Sequence, residues 1–318
     1  MKKVIVILGP TAAGKTDTAI DLAKKFSGEL ISCDSRQVYI GLDIGTGKLP
    51  GIEVKVKKGN GYWEMDGVKV WMLDIADPKK RYTVFDYVKD AEKVLEDIFK
   101  REKLPIIVGG TGFYLKALLE GLDNLSIPSD KKLRIRLEKL SISKLQEELK
   151  KISAAKFEKL NNSDRNNPRR LIRAIELLSQ KSNKKNVDAK SKDLDVLKIG
   201  LTTRREIIGK RIKDRILHRL DKGMIEEVAN LLKNGLSIAR LKELGLEYSI
   251  ISDYVTGVIK NKEDLVKILR IKIGQYAKRQ MTWFKKEKDL NWFDITEKNY
   301  YEMVEKMVAD WYNLGHAS

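Results

Sequence analysis

Val4-Ile5-Val6-Ile7-Leu8-Gly9-Pro10-Thr11-Ala12-Ala13-Gly14-Lys15-Thr16 runs from an apolar pentad into a complete G-x-x-x-x-G-K-[ST] phosphate-binding loop. Ala19, Ile20, Leu22 and Ala23 follow at helical spacing. Strand, loop and helix in that order are the context that gives the motif its meaning. The glycines let backbone N–H groups turn toward phosphate oxygens, at a helix start whose partial positive charge favours anions. Lys15 adds a mobile cation, and the Thr16 hydroxyl is placed to ligate Mg²⁺. Residues Gly9 to Thr16 are thus the candidate diphosphate or nucleotide site. The loop alone does not say which phosphate compound it holds.

Working outward, strand patterns recur at 29–32, 69–75 and 105–109, and helical patterns at 15–26, 84–102 and 112–120. This alternation predicts a parallel sheet covered by helices, an α/β core of the P-loop NTPase type. Beyond Gly121 the pattern changes to long charged helices at 130–151 and 166–180. An exposed lysine-rich connection follows at 180–195, and then a strand at 197–201. From 204 to 287 the chain reads as helical, broken near Gly235, Gly245 and Gly257. A last strand at 292–295 and a last helix at 298–313 complete the pattern. The predicted division is a core of 1–203 and 288–318, with 121–195 as a helical extension, and a helical insertion at 204–287.

The 318 residues carry a net charge of +18, of which residues 1–120 contribute +3 and residues 121–318 +15. Cationic charge gathered in one part suits a polyanionic partner, or simply a basic solvated surface. No apolar run approaches the ~18 residues that cross a bilayer, so no membrane partner is expected. A single cysteine, Cys33, excludes an internal disulfide and suits a reducing cytoplasm. With only His218 and His316 besides, a structural zinc site is excluded.

Asp34 follows the second strand. In open parallel sheets ligands gather at the carboxyl ends of strands, so this carboxylate is a candidate general base rather than a helix cap. Cys33 beside it reads as packing. Leu104-Pro105-Ile106-Ile107-Val108-Gly109-Gly110-Thr111-Gly112 ends a further strand in glycines, where phosphate-loop ATPases carry an acid. That argues against a motor or switch. It leaves room for a substrate to approach, with the Thr111 hydroxyl as a handle. Arg211, Arg215 and Arg219 fall along one side of a helix. Lys267, Lys278 and Lys285 share a face of another, opposite Leu269, Ile273, Tyr276 and Trp283, which are expected in the core.

Taken together, GPTAAGKT at 9–16, ISCDSRQVY from 31, DIGTGK at 43–48, LPIIVGGTGFYLKALLEGL at 104–122, NNPRRLIRAIEL at 166–177, KRIKDRI at 210–216 and YAKRQMTWF at 276–284 resemble the tRNA dimethylallyltransferase family. The resemblance implies transfer of a dimethylallyl group from dimethylallyl diphosphate to N6 of adenine-37 in the tRNA anticodon loop, by a cytoplasmic monomer. It implies Mg²⁺ with Thr16 on the diphosphate, Asp34 as base, and catalytic roles for Thr111, Arg215 and Arg211. It also implies tRNA contacts from Asp34, Ser35, Arg36, Gln37, Thr111, Arg134, Arg169, Arg170, Leu171, Ile172, Arg173, Lys278, Arg279 and Gln280, with 204–287 as a tRNA-contacting domain. Leu244-Gly245-Leu246-Glu247-Tyr248 and Ile273-Gly274 depart from the family's usual text. Rival readings are a prenyltransferase acting on free adenine nucleotides, a phosphate-loop kinase, and a silent tRNA-binding protein.

Overall fold

A computed structural model describes residues 1–49, 54–122, 124, 127, 130–180 and 194–313. Its chain divides into two compact units, one of Met1–Leu119 with Lys190–Ser318 and the other of Glu120–Ala189. The division differs from the sequence-based boundaries. Residues 205–284 share one apolar core with the sheet, and it is 120–189 that stands as its own unit.

The first unit is built on strands β1 (Lys2–Leu8), β2 (Gly28–Ser32), β3 (Val56–Lys58), β4 (Tyr62–Met65), β5 (Val68–Trp71), β6 (Leu104–Val108), β7 (Leu194–Thr202) and β8 (Leu290–Asp294). They lie in the order β3-β4-β5-β2-β6-β1-β7-β8. From β5 to β8 all neighbours are parallel, while β3, β4 and β5 form an antiparallel edge. The sequence reading missed β3 and β4. It also ran β5 on to residue 75, but the chain turns at Met72 and Asp74, both at positive φ.

Register settles which side chains share a face. Ile7 pairs with Val108 and Ile199, Ser32 with Val108, Leu30 with Val70, and Met65 with Val68. In-register partners project to the same side. That side forms the main core with helix α1 (Lys15–Lys25) and with the helices after β7: α9 (Arg205–Asp221), α10 (Met224–Lys233), α11 (Ile238–Leu244), α12 (Leu246–Val255) and α13 (Lys262–Phe284). On α13, residues 265, 269, 273, 277, 280 and 284 are buried at helical spacing, and Lys267, Lys278 and Lys285 are exposed as expected. Of the residues expected in the core, Tyr276 is 37% exposed and Trp283 only half-buried, while Gln280 and Phe284 are buried instead. Helix α2 (Val84–Lys100) packs on β2 and β6, opened by a Thr83–Asp86 capping box. Helices α3 (Gly112–Glu120) and α14 (Tyr300–Asn313) complete the unit.

The second unit is helical: α4 (Lys131–Leu137), α5 (Ile142–Ile152), α6 (Ala154–Glu158), α7 (Asn162–Arg165) and α8 (Pro168–Ser179). The single helix expected over 130–151 is two. Ser141 starts the second by accepting from the Lys144 amide, a serine side chain competing for backbone as serines do. Leu137, Leu145, Leu149, Phe157, Leu171, Ile172 and Ile175 form its core. Most of the expected connection at 180–195 lies outside the described residues.

Candidate active site

The phosphate loop leaves β1 through Gly9, at φ 151°, where any side chain would strike the Leu201 carbonyl. It enters α1 through Gly14 at φ 75°. The amides that open α1 have no intrahelical carbonyl within reach, which is what an anion needs. The Lys15 ammonium donates to the Pro10 carbonyl at 2.8 Å.

Two helices of the later chain hold Thr11. Gln280 on α13 accepts from the Thr11 amide at 2.9 Å and donates to the Gly110 carbonyl at 3.0 Å. Arg215 on α9 donates to the Thr11 hydroxyl at 2.5 Å. Arg211, one turn earlier, reaches the Ala12 carbonyl at 3.5 Å, and Arg219, one turn later, the Gly45 carbonyl at 3.0 Å. The expected arginine row is therefore real, and all three members line one cavity with Lys15 and Thr16. Burial, then Arg219, pulls the Arg215 pKa downward; a buried guanidinium crowded by another cation gains most from an incoming anion. Burial, then Arg215, lowers Lys15 to about 8, with Asp34 pulling the other way.

Asp34 sits where β2 ends, its carboxylate accepting from the Arg36 amide at 2.8 Å. Thr111 faces it from the end of β6; its hydroxyl accepts from the Ser35 amide at 3.2 Å and its amide donates to the Cys33 carbonyl at 3.2 Å. The glycines before and after Thr111 serve closeness within the protein rather than simply opening a path for substrate. A side chain at Gly109 would strike the Cys33 backbone, at Gly110 the Gln280 amide, and at Gly112 the Trp283 ring. Cys33 is buried, which pushes its thiol up to about 12, so it is packing as expected.

The first cavity has a volume of about 340 Å³, and a second of about 290 Å³ adjoins it. Thr11, Asp34, Thr46, Arg215, Arg219 and Tyr276 line both. Arg36, Tyr276, Arg279 and the Leu244–Tyr248 segment wall the second cavity, with the Arg279 guanidinium 5.9 Å from the Tyr276 ring centre. The segment that departs from the family's text is thus part of this wall.

Several residues expected to meet tRNA have other partners. Gln280 is buried and bonded as above. Gln37 accepts from the Ser32 hydroxyl and donates to the Thr46 and Gly47 carbonyls. In the second unit, Leu171 and Ile172 are core, while Arg134 makes a two-pronged contact with buried Glu176 at 2.6 and 2.8 Å. Arg173 donates to the Asn124 and Ile127 carbonyls. Arg170 pairs with Asp164; Arg169, like Lys278 and Arg279, is exposed.

Sequence reasoning missed two buried clusters beside the site. Lys48 is fully buried and donates to the Tyr39 carbonyl, Asp43 and Asp74. Glu227 on α10 accepts from the amides of Asp43, Ile44 and Gly45 and from the Tyr248 hydroxyl. Glu227 reaches amides 182 to 184 positions away, and Lys48 reaches Asp74 26 positions on, so no helix or strand period announces either.

A candidate Mg²⁺ donor set is hard oxygen: the Thr16 hydroxyl, with Asp17 and Asp34 lining the same cavity. Among the described residues no cluster of three or more His, Cys, Asp or Glu could cage a metal. Mg²⁺ is usually bound by one or two protein oxygens, its other positions taken by phosphate oxygens and water. Among the described residues no helix is long and apolar enough to cross a membrane.

Residues 37–287 match the family model for IPP transferase, and 2–65 that for isopentenyl transferase. The chain is 41% identical to tRNA dimethylallyltransferase 2 of Treponema denticola, across 91% of this chain and 94% of that one. It is 37% identical to the tRNA dimethylallyltransferase of Ligilactobacillus salivarius, across 98% and 99%. Its fold is similar to the crystal structure of the Bacillus halodurans tRNA isopentenylpyrophosphate transferase, with a TM-score of 0.68 at 30% identity, covering 99% and 100%. It is also similar to a eukaryotic dimethylallyltransferase crystallised acting on tRNA, with a TM-score of 0.76 at 26% identity, covering 97% and 78%. With matches of this extent, and a phosphate loop facing a strand-end aspartate, the chain belongs to the tRNA dimethylallyltransferase family of IPP transferases.

Proposed function

We propose that this enzyme transfers a dimethylallyl group from dimethylallyl diphosphate to N6 of adenine-37 in the anticodon loop of tRNA, releasing diphosphate. The observation that carries this reading is the meeting of two cavities at Asp34, one floored by the phosphate loop and the other walled by Tyr276, Arg36 and Arg279. The donor's diphosphate lies in the first and the acceptor base enters the second. As the N6–C1 bond forms, the C1–O bond breaks and its electron pair leaves on the diphosphate. Asp34 takes the N6 proton, a contribution of roughly 10²–10⁴-fold for a positioned base.

Lys15, the loop amides, Arg211 and Arg215 receive the charge that gathers on the leaving group. Arg215 is poised for this, being held at Thr11 in the loop itself. Mg²⁺, held by the Thr16 hydroxyl and the donor's own oxygens, would neutralise part of the same charge. Thr111 ties the end of β6 to the Asp34–Ser35 turn and so orients the base. A flipped adenine costs a few kcal/mol of stacking, which the Tyr276 ring at the cavity wall is placed to return. Lys278, Arg279 and Arg169 are the exposed cations for the RNA backbone.

Mass spectrometry of nucleosides from tRNA incubated with the enzyme, dimethylallyl diphosphate and Mg²⁺ tests the reading. N6-dimethylallyladenosine at position 37 is the expected product. Phosphate transfer from a nucleoside triphosphate to a small acceptor, without prenylation, would overturn it.

A further inference from the structure

The first cavity does not end at the phosphates. Its lining crosses the sheet sideways in strand order, from the loop behind β1 to Val108 on β6, Ser32 on β2, Val70 on β5 and Met65 on β4. Register puts all four of these strand residues on one face, so they form a continuous floor. The chemistry changes along it. At the loop end stand Lys15, Arg211 and Arg215; at the far end stand Met65, Val70 and Leu73, exposed by only 1%, 3% and 1%. The trough is cationic where it begins and reaches buried hydrocarbon at its far end.

Polar side chains near the far end do not alter that character, because they are paired with one another. The three donors of the Lys48 ammonium go to the Tyr39 carbonyl, Asp43 and Asp74. The other Asp74 oxygen accepts from the Trp63 indole at 2.7 Å. A ligand entering here therefore meets the Lys48 methylenes and the three apolar residues. Met65 is the outermost of these along the sheet. It is fixed by the two-residue hairpin Asp66–Gly67, both at positive φ, which sets the Met65–Val68 pairing.

We infer that Met65, backed by Val70 and Leu73, sets the prenyl chain length the enzyme accepts: a five-carbon tail ends at this wall, and a ten-carbon tail runs into it. The inference rests on the donor site given under Proposed function and adds the residues that measure the donor. One methylene gained or lost in an apolar pocket is worth about 10- to 200-fold in discrimination, so a five-carbon excess is strongly refused while the wall stands.

The test compares wild type, Met65→Ala and Val70→Phe with dimethylallyl and geranyl diphosphate on unmodified tRNA, alongside calorimetric binding of inorganic diphosphate. The Met65→Ala enzyme is expected to raise the geranyl-to-dimethylallyl ratio of kcat/KM by about 10-fold or more. Val70→Phe shortens the trough and raises KM for dimethylallyl diphosphate by about 10-fold or more. Inorganic diphosphate, which has no tail, binds all three within about twofold. If the Met65→Ala chain fails to fold, Val70→Phe decides. An unchanged ratio in folded Met65→Ala, or unchanged dimethylallyl kinetics in Val70→Phe, overturns the inference. A wild type that binds inorganic diphosphate yet prenylates no tRNA from dimethylallyl diphosphate overturns the proposed function itself, and the chain-length inference with it.

Discussion

Asp34 and Lys15 show how position gives ordinary side chains a task. Asp34 touches both cavities, and its Oδ1 accepts from the Arg36 amide two residues on. Asp34→Ala is expected to lower kcat by roughly 10²–10⁴-fold while tRNA affinity stays within a few-fold. Single-turnover rates and filter binding check this, and unchanged turnover removes Asp34 as the base.

Lys15 gives the pH dependence. With its pKa held at about 8 by burial and Arg215, the ligand-free ammonium loses its proton as pH rises through that value. Affinity for inorganic diphosphate should then fall above pH about 8 in wild type relative to Lys15→Arg, whose cation persists. Fold stability runs the other way. From about 8 up to the ordinary 10.5 the unfolded chain holds the proton and the folded chain does not, so stability rises with pH there. Parallel pH profiles in the two proteins would remove Lys15 from anion binding.

At the scale of elements, α13 carries two neighbouring residues with opposite orientations. Arg279 is exposed at the second cavity, and Gln280 is buried against the phosphate loop. Their variants should separate cleanly. Arg279→Ala is expected to weaken tRNA binding and reduce its log–log salt slope by about 1, leaving the donor KM in place. Gln280→Glu keeps an acceptor for the Thr11 amide but loses the donor to the Gly110 carbonyl. A lost buried hydrogen bond of about 1–3 kcal/mol should raise the donor KM roughly tenfold or more, with tRNA affinity unchanged. Equal loss of tRNA binding in both variants would return Gln280 to the RNA-contact role that the sequence first suggested.

For the whole molecule, acid stability depends on the opposite end of the sheet. Glu29 on β2 is buried, which favours its neutral form. Hydrogen bonds from Arg101, Trp71 and Lys103 outweigh that and hold it at about 2. Its contribution is therefore present above the ordinary 4.5 and is lost as pH falls toward 2. Glu29→Gln should flatten the acid limb of a urea-unfolding profile in that window; an unchanged limb would refute it. The parts of the fold visible in sequence were those that local pattern dictates: β1, the loop, α1, α2, β6, and the arginine row on α9. The β3–β4 hairpin escaped because its strands are three and four residues long. Gln280 and Glu227 escaped for a different reason, since partners 269 and 184 residues away leave no periodicity to read; the partners of Lys48, 5, 9 and 26 residues away, follow no helix or strand period. Tyr276 was misplaced because helical phase alone does not tell a core wall from a cavity wall.

Thr11 also carries a consequence for biosynthesis. Its amide is fastened by a residue 269 positions downstream and its hydroxyl by one 204 positions downstream. A ribosome thus finishes the entire glycine-rich signature long before anything exists to lock that signature in shape. Nascent chains stalled ahead of Gln280 would display the motif and still lack its anchorage, so pyrophosphate retention by arrested chains should begin only as the α13 segment clears the exit tunnel.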